Sequence, residues 1–463
     1  MNPTTIQTAF GCTSVLIVIV AISRPHLLLR PSFAFACLQS AIISPAAAFI
    51  MESSYVHSPD FDASYPDSPL FDTFRFLTVL FPLAVVAWVA VTPRLSETAR
   101  TLWQSCQNSR LNVEPRPKIE RILLWTCLLI CGIVGAWYFA TVSLKSTGLV
   151  ALLSKSELAN QRREESLAML DSTLLRYVYS MTRAVIVPLA ITLMILQGGR
   201  WRPLPILAKT IVCILLTIFV GITGARMPVA YVVITVTLAI VLVSSARRSM
   251  AIASLALLGI VIILGTATFL RSEHGFQGLM KSGTLMAQGL HHRIFVMPFE
   301  TGLRSVQFAS EQGFLGGANI RPYALLTGVP YVNLPSEVYS GYYYPYFIQH
   351  YPPDKVITSG TANTCFLFDF QAAMGLWWGW GLGLAAIGSL DFALLAFRRL
   401  RGIVLPAILA VFLPISTLKL LSSGYTTQLV TGGIALTILI ALLASLLRRT
   451  MESPRSPTTT TTA

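Results

Sequence analysis

The chain has 463 residues, of which 54% are hydrophobic and only 12% are charged, and its mean hydropathy is +0.66. Soluble domains carry about twice that charged share, so the composition excludes a soluble multi-domain enzyme, a disordered chain and a disulfide-stabilised scaffold. The formal net charge is +14. No basic motif, aromatic platform or zinc-ligand spacing accompanies this charge, so we do not expect nucleic acid as a partner.

Apolar blocks of about 20 residues, the length that crosses a bilayer as a helix, recur along the chain. They predict an all-α, polytopic membrane protein with about eleven transmembrane helices. We expect the first block to be retained as a span, because the N-terminus lacks the basic start and cleavage site of a secretory signal. The predicted spans are roughly 6–23, 31–51, 74–92, 121–143, 180–198, 204–221, 228–246, 250–270, 367–396, 402–421 and 428–447.

Basic residues gather in alternate loops between these spans. Arg24 and Arg30 lie in the first loop, and a series from Arg94 to Arg121 lies in the third. The later groups are Arg200 with Arg202, Arg247 with Arg248, Arg398 with Arg399 and Arg401, and Arg448 with Arg449 and Arg455. Cytoplasmic loops carry an excess of Lys and Arg, so all of these groups are predicted to be cytoplasmic. The C-terminal tail, 448–463, is then inside and the N-terminus outside.

The opposite side of the membrane is predicted to carry three loops. Spans one to eight fill 1–270, with an acidic loop near 52–73 and a second loop near 144–182. The segment SELANQRREESLAML in that second loop reads as an amphipathic helix lying on the membrane. The third and largest loop is 271–364, and spans nine to eleven follow in 365–447. Loops this long are uncommon unless they have a function, so we expect short helices and the active site in 271–364.

Arginines on the predicted outer side are the main candidate binding residues. Arg226 lies in the short turn GITGARMP, and Arg271 closes a span. The large loop adds Arg293, Arg304 and Arg321, and Lys419 near a span end would face the same side. A single arginine at a membrane surface often extends only to lipid phosphate. A cluster of them fits an anionic ligand, because the guanidinium fork matches phosphate or carboxylate.

The candidate general base is Glu300 in HHRIFVMPFETGLR, with His291 and His292 as second choices. Glu300 is equally well explained as a structural ion-pair partner. Tyr323 and the other loop aromatics either stack on sugar rings or form an interfacial belt. Asp369, like Lys419, lies near a span end, where buried charge is costly and often functional.

In the order of these features, the chain resembles a bacterial O-antigen polymerase of the Wzy type. The resemblance rests on the turn Gly224–Arg226, on the late outer loop with Arg293 and Glu300 in its first half, and on the segment GTANTCFLFDFQAAMGLWWGWGLG at Gly360–Gly383. It implies a GT-C-like fold in the bacterial inner membrane, with the active site facing the periplasm.

What the resemblance implies is a transferase that joins repeat units carried on undecaprenyl pyrophosphate, without a metal or other cofactor. Arg226 and Arg293 would hold the pyrophosphate, with Arg271, Arg304, Arg321 and Lys419 as supporting cations and Tyr323 against the glycan. Glu300 would take the proton from the attacking hydroxyl. The expected partners are the lipid-linked oligosaccharide, membrane lipids and a chain-length regulator protein.

Three alternatives stay open at this point. An O-antigen ligase shares the same plan but transfers the glycan to a lipid A core. A metal-dependent transferase would use Asp60 and Asp62, whose spacing otherwise suits a plain solvated loop. A transporter or flippase of lipid-linked sugars is the alternative outside enzymes, although the sequence shows no two matching halves.

Overall fold

The computed structural model describes residues 3–49, 69–109, 118–153, 172–197, 206–223, 226–244, 297–345 and 364–452. Every regular element in these ranges is helical, and none is a strand. Seven helices within them are long and apolar enough to cross a bilayer. They are Thr4–Ser23, Pro69–Val91, Ile119–Thr141, Leu174–Gln197, Leu376–Phe397, Val404–Leu421 and Tyr425–Met451. The protein is therefore an all-helical, polytopic membrane protein.

These seven helices coincide with the first, third, fourth, fifth, ninth, tenth and eleventh predicted spans. The sixth and seventh predicted spans are also helices, Ile206–Gly221 and Arg226–Val243, of 16 and 18 residues. Helices of that length are at the short end of what crosses a bilayer. The eighth predicted span, 250–270, lies outside the described residues, as does the whole predicted amphipathic segment, 156–170.

Three of the predicted spans are each divided into separate helices. In the eleventh, one helix ends at Val430 and the next begins at Ile434. In the second, one helix ends at Ile42 and another begins at Ser44. Pro45 explains this break, because proline lacks an N–H and its ring clashes with the carbonyl four residues earlier. In the ninth, a helix ends at Met374 and the next begins at Leu376. Gly375 joins them with φ +84°, which only glycine adopts readily.

The chain divides into two compact units. The first contains Met1–Arg100, Ser272–Phe392 and Leu413–Val430, and the second contains Thr101–Arg271, Ala393–Phe412 and Thr431–Ala463. Helices α5 (Pro93–Asn108) and α18 (Val404–Ser416) contribute residues to both units.

The first unit is built around α4 (Pro69–Val91). This helix packs against α1 (Pro3–Ser23), α2 (Pro31–Ile42), α3 (Ser44–Phe49) and α16 (Leu376–Leu390). A second contact joins α12 to α15. The helices of this unit are α1 (Pro3–Ser23), α2 (Pro31–Ile42), α3 (Ser44–Phe49), α4 (Pro69–Val91), α12 (Met297–Glu311), α13 (Arg321–Thr327), α14 (Leu334–Val338), α15 (Phe366–Met374), α16 (Leu376–Leu390) and α19 (Tyr425–Val430). Short 3-10 turns at Pro25–Leu29 and Leu418–Leu421 and a π-helical turn at Tyr339–Tyr343 complete it.

Helices α15 and α16 form a tight antiparallel hairpin around Gly375. A Cβ atom on Gly379 would overlap the backbone of Phe370 and Gln371, and one on Gly383 would lie 2.6 Å from the Leu367 side chain. The absence of side chains at these two glycines therefore lets the helices approach so closely.

The second unit is centred on α9 (Val187–Gln197). This helix packs against α6 (Lys118–Thr141), α10 (Ile206–Gly221) and α11 (Arg226–Val243). In the same unit, α20 contacts α6 and α17. Its helices are α6 (Lys118–Thr141), α7 (Gly148–Leu153), α8 (Thr173–Met181), α9 (Val187–Gln197), α10 (Ile206–Gly221), α11 (Arg226–Val243), α17 (Ala393–Phe397) and α20 (Ile434–Glu452). A π-helical turn at Thr182–Ile186 links α8 to α9 in one continuous helix.

Arg30 does not act as the exposed loop charge that the topology prediction assumed. Its side chain is 0% exposed and forms an ion pair with Asp391, which is also 0% exposed. Its remaining N–H groups donate to the hydroxyls of Ser96 and Thr92, each at 2.8 Å. Asp391 in turn accepts hydrogen bonds from Ser32 Oγ (2.7 Å) and Trp88 Nε1 (3.1 Å). Both charges are thus fully compensated inside the first unit.

Arg75 is a second buried arginine of the first unit. It lies within α4 and donates from Nε to the carbonyl of Ala47 (2.6 Å) and from Nη2 to that of Ala48 (2.9 Å). These carbonyls belong to the last turn of α3, whose backbone acceptors would otherwise lack helical partners. Arg75 therefore caps the short helix α3.

Candidate active site

A polar stripe runs along one face of α12 in the first unit. It consists of Glu300, Arg304, Gln307 and Glu311, spaced by four, three and four residues. Residues three and four apart are neighbours on a helix surface, so the four side chains form one continuous row. We call this row, together with Tyr342, the α12 stripe.

Hydrogen bonds connect Arg304, Gln307, Glu311 and Tyr342 of the α12 stripe. Arg304 Nη1 donates to Gln307 Oε1 at 3.0 Å, and Gln307 Nε2 donates to Glu311 Oε1 at 3.2 Å. The Tyr342 hydroxyl donates to Glu311 Oε2 at 3.3 Å, and the Arg304 guanidinium lies 5.0 Å from the centre of the Tyr342 ring. Arg304 is therefore held by a hydrogen bond within α12 and by the ring of Tyr342, which lies in the π-helical turn Tyr339–Tyr343.

Burial increases along the stripe toward Glu300. Glu311 is exposed, whereas Arg304 is 5% exposed and Glu300 is 2% exposed. The stripe thus leads from solvent to a buried carboxylate one helical turn from a buried guanidinium. Burial, with Glu311 as a second cause, raises the pKa of Tyr342 to about 12. Tyr342 therefore stays a neutral hydrogen-bond donor at physiological pH.

The opposite face of α12 is anchored by aromatic packing. A Cβ atom on Gly302 would overlap the Phe368 ring of α15, and Phe299 lies 5.5 Å from Phe74, ring centre to ring centre. Phe74 also contacts Phe368 at 4.9 Å. Because Gly302 brings α12 directly onto α15, the position of Glu300 is set by this packed core.

Arg321 and Tyr323 lie on α13, away from the row on α12 in sequence and on a different helix. Both are exposed. The Arg321 guanidinium lies 5.4 Å from the centre of the Tyr331 ring, and the Tyr323 ring packs against Gly317, where a Cβ atom would be 2.6 Å away. Lys419 is half-buried in the 3-10 turn Leu418–Leu421. These three residues remain predicted binding residues.

Several predicted site residues cannot be placed. Arg271, Arg293, His291 and His292 lie outside the described residues, as do Asp60 and Asp62 of the metal-dependent alternative. Arg226 is the first residue of α11 in the second unit, but its side chain is not described. The predicted joint action of Arg226 and Arg293 therefore stays a prediction.

The structure also draws attention to Asp369 in the first turn of α15. Its Oδ1 is buried and makes no hydrogen bond to any described residue, while Oδ2 lies against Gly424, 2.6 Å from where a Cβ atom would stand. Asn319 donates to the backbone carbonyl of Asp369 at 2.9 Å, and its own Oδ1 is also buried and unbonded within the described part of the chain. The sequence signal for this site was a single acidic residue in an aromatic and apolar segment.

Comparison with known proteins adds no relative: no protein-family model, curated protein or solved structure matches the chain. The expectation of an O-antigen polymerase therefore depends on the order of spans, loops and residues alone.

Proposed function

We propose that the protein is a membrane glycosyltransferase that polymerises oligosaccharide repeat units carried on undecaprenyl pyrophosphate. The observation that carries this proposal is the α12 stripe, where a buried carboxylate and a buried guanidinium share one face of a helix in the predicted large outer loop. A positioned carboxylate can take a proton from a hydroxyl, and a fixed guanidinium can stabilise developing negative charge. A polytopic membrane protein gives a lipid-linked substrate access to such a site.

In the proposed reaction, the terminal hydroxyl of a carrier-linked repeat unit attacks the first sugar of the growing chain. The bond from that sugar to the lipid pyrophosphate breaks, and the pyrophosphate leaves with the electron pair. Glu300 takes the proton of the attacking hydroxyl, with His291 and His292 as the other candidate bases. Arg226 and Arg293 neutralise the leaving pyrophosphate, supported by Arg271, Arg321 and Lys419.

The described contacts give Arg304 a more specific role in this scheme. Its guanidinium is held by Gln307 and Tyr342 one helical turn from Glu300. We propose that Arg304 places a positive charge beside Glu300, and that Tyr323, which is exposed on α13, contacts the glycan. The site would face the periplasm, with the C-terminus in the cytoplasm of a bacterial inner membrane and a regulator protein setting chain length.

The test is polymerisation of a lipid-linked repeat unit by the purified protein in nanodiscs, followed as a ladder of products on a gel. Glu300→Gln removes the base and is expected to slow polymerisation by about 10²–10⁴-fold, the usual contribution of general base catalysis. Glu337→Gln is the matched control, because it makes the same change at an exposed glutamate of α14 that lies outside the stripe. Equal activity of Glu300→Gln and wild type would remove the assignment of Glu300.

Two further measurements separate this proposal from its enzyme alternatives. Strict dependence of polymerisation on a divalent ion, revealed by EDTA, would contradict the metal-independent scheme and favour Asp60 and Asp62. In cells without the protein, loss of long chains with one repeat unit still attached to the core indicates a polymerase. Loss of every attached repeat unit indicates a ligase.

The helix breaks favour one candidate function of another class, a transporter of lipid-linked sugars. Transporter sites often lie where membrane helices are interrupted and carry a buried ionisable residue. Here α15 and α16 are interrupted at Gly375, and the unbonded Asp369 carboxyl lies against Gly424 in a second interruption between Leu421 and Tyr425. Proteoliposomes that move a fluorescent lipid-linked sugar across the bilayer, with Asp369→Asn inactive and Glu300→Gln active, would establish this function instead.

A further inference from the structure

Arg183 lies inside an apolar helix and has no part in the function proposed above. The helix Leu174–Gln197 is one of the seven that are long and apolar enough to cross a bilayer. Within it, Thr182–Ile186 adopts a π-helical turn. Such turns are rare and are often found at functional sites, because the extra residue redirects the side chains around it. An ionisable residue within a membrane helix is costly and usually has a specific partner.

The surroundings of Arg183 in the second unit are aromatic. Its guanidinium lies 5.0 Å from the centre of the Tyr179 ring. Tyr179 stacks on Tyr138 with ring centres 4.7 Å apart and planes 13° from parallel, and Phe219 meets both rings edge-on. Tyr179 and Tyr138 are 1% and 0% exposed. The guanidinium therefore rests on a rigid, buried aromatic base.

No carboxylate compensates this charge within the described residues. Their two ion pairs are Arg30 with Asp391 and Arg100 with Glu97. The Arg183 Nε is buried and donates no hydrogen bond to any of these residues. The residue as a whole is half-buried, so part of its side chain can be reached by a ligand.

We infer that Arg183 binds the phosphoryl headgroup of a membrane lipid. A guanidinium presents paired N–H donors that match phosphate oxygens, and an anion is the group that no described residue supplies to this charge. Because Arg183 projects from an apolar helix, the phosphate must arrive on a molecule whose remainder is compatible with the membrane. Two lipids supply this chemistry, a phospholipid and a polyprenyl pyrophosphate, and the choice of the second as a probe rests on the proposed function.

The experiment measures lipid binding to the purified protein in a phosphate-free detergent by native mass spectrometry. The probes are undecaprenyl pyrophosphate, phosphatidylglycerol and inorganic pyrophosphate, each added alone. Arg183→Gln is expected to weaken binding of at least one of the two lipids by about tenfold or more, because a charge-assisted, two-pronged contact is lost. Arg183→Lys keeps the charge without the fork and is expected to fall between Gln and wild type.

Arg176→Gln is the matched control, because Arg176 is exposed on the same helix seven residues earlier. Loss of lipid binding in Arg183→Gln with retention in Arg176→Gln supports the inference, and the lipid affected identifies the source of the phosphate. Equal losses in both variants, unchanged binding in Arg183→Gln, or inorganic pyrophosphate binding as tightly as the lipids would each overturn it. If Arg183→Gln fails to fold, the comparison of Arg183→Lys with wild type decides.

The outcome is independent of the proposed polymerase. Binding requires no turnover, so an inactive protein whose lipid binding depends on Arg183 would remove the proposed function and leave this inference. Conversely, an active polymerase in which Arg183→Gln binds lipid normally would remove this inference alone.

Discussion

Arg30 and Arg183 are both arginines among apolar helices, but their surroundings differ completely. Arg30 has a carboxylate partner and two hydroxyl acceptors, and its partner Asp391 is itself held by Ser32 and Trp88. Arg183 has the face of Tyr179 and no carboxylate within the described residues. A buried charge that is fully paired serves the fold, whereas one that lacks a counter-charge is available to a ligand. The environment of an arginine thus indicates its role better than its location.

The largest expected effect is at the Arg30–Asp391 pair. Arg30→Met or Asp391→Leu alone leaves one uncompensated charge in the core and is expected to lower the free energy of unfolding by about 3–5 kcal/mol. The double variant removes both charges and is expected to recover most of that loss. The measurement is unfolding of the purified protein by denaturing detergent.

The exposed pair of Arg100 and Glu97 provides a control of the same chemistry. Its side chains are 55% and 60% exposed, so Arg100→Met should change the free energy of unfolding by less than about 1 kcal/mol. A double Arg30→Met/Asp391→Leu variant that is no more stable than either single variant would show that the pair does more than neutralise two charges.

An intermediate effect is expected at Arg75. Arg75→Met removes the guanidinium that donates hydrogen bonds to the carbonyls of Ala47 and Ala48. These two acceptors at the end of α3 then lose that donor. Loss of such buried hydrogen bonds typically lowers the free energy of unfolding by about 1–3 kcal/mol. The same unfolding assay measures it. An effect as large as that of Arg30→Met would mean that backbone carbonyls compensate a buried guanidinium as strongly as a carboxylate does.

A smaller effect on stability is expected at Arg183. Arg183→Gln breaks no ion pair in the described part of the chain, so the free energy of unfolding should change by less than about 1 kcal/mol, in either direction. The unfolding assay, run without added lipid, checks this. A loss comparable to that at Arg30 would place a structural counter-charge near Arg183 and contradict the contrast drawn here.

The smallest effect is expected for Tyr179→Phe, and Trp88→Phe is its control at an aromatic neighbour that makes a hydrogen bond to Asp391. A phenylalanine ring keeps the stacking on Tyr138 and the contact with Arg183, so removal of the Tyr179 hydroxyl should cost less than about 0.5 kcal/mol of unfolding free energy. Trp88 donates to Asp391 at 3.1 Å, so its replacement should cost about 1 kcal/mol or more. A larger loss of unfolding free energy in Tyr179→Phe than in Trp88→Phe would contradict this ranking of the two aromatic residues.

Composition and hydropathy alone predicted the helical membrane fold, because the length of an apolar block determines whether it can cross a bilayer. The breaks in the second and ninth predicted spans required finer signals. Pro45 is readable in the sequence as a helix breaker. The turn at Gly375 is not, because one glycine among several in an apolar segment is ambiguous without its dihedral angles.

The candidate sites were predictable to different degrees. The spacing of Glu300, Arg304, Gln307 and Glu311 follows from helical periodicity, and two of these four were predicted as site residues. The contact of Tyr342 with Arg304 depends on how the π-helical turn Tyr339–Tyr343 packs against α12, which local sequence does not indicate. The pairing of Arg30 with Asp391 joins residues 361 positions apart, which no local pattern indicates. Arg183 is visible as a charge in an apolar block, but the absence of a counter-charge among the described residues follows only from the folded structure.

The hairpin of α15 and α16 changes how the large predicted loop is attached to the membrane helices. Because Leu367 lies against Gly383 and Gln371 against Gly379, the chain that leaves the loop meets α16 beyond its first turn and not at its end. Because neither glycine has a side chain, α15 contacts the backbone of α16 directly at both positions. A displacement of the residues just after the loop would therefore be transmitted directly to the transmembrane helix, which makes the hairpin a mechanical link between loop and bilayer.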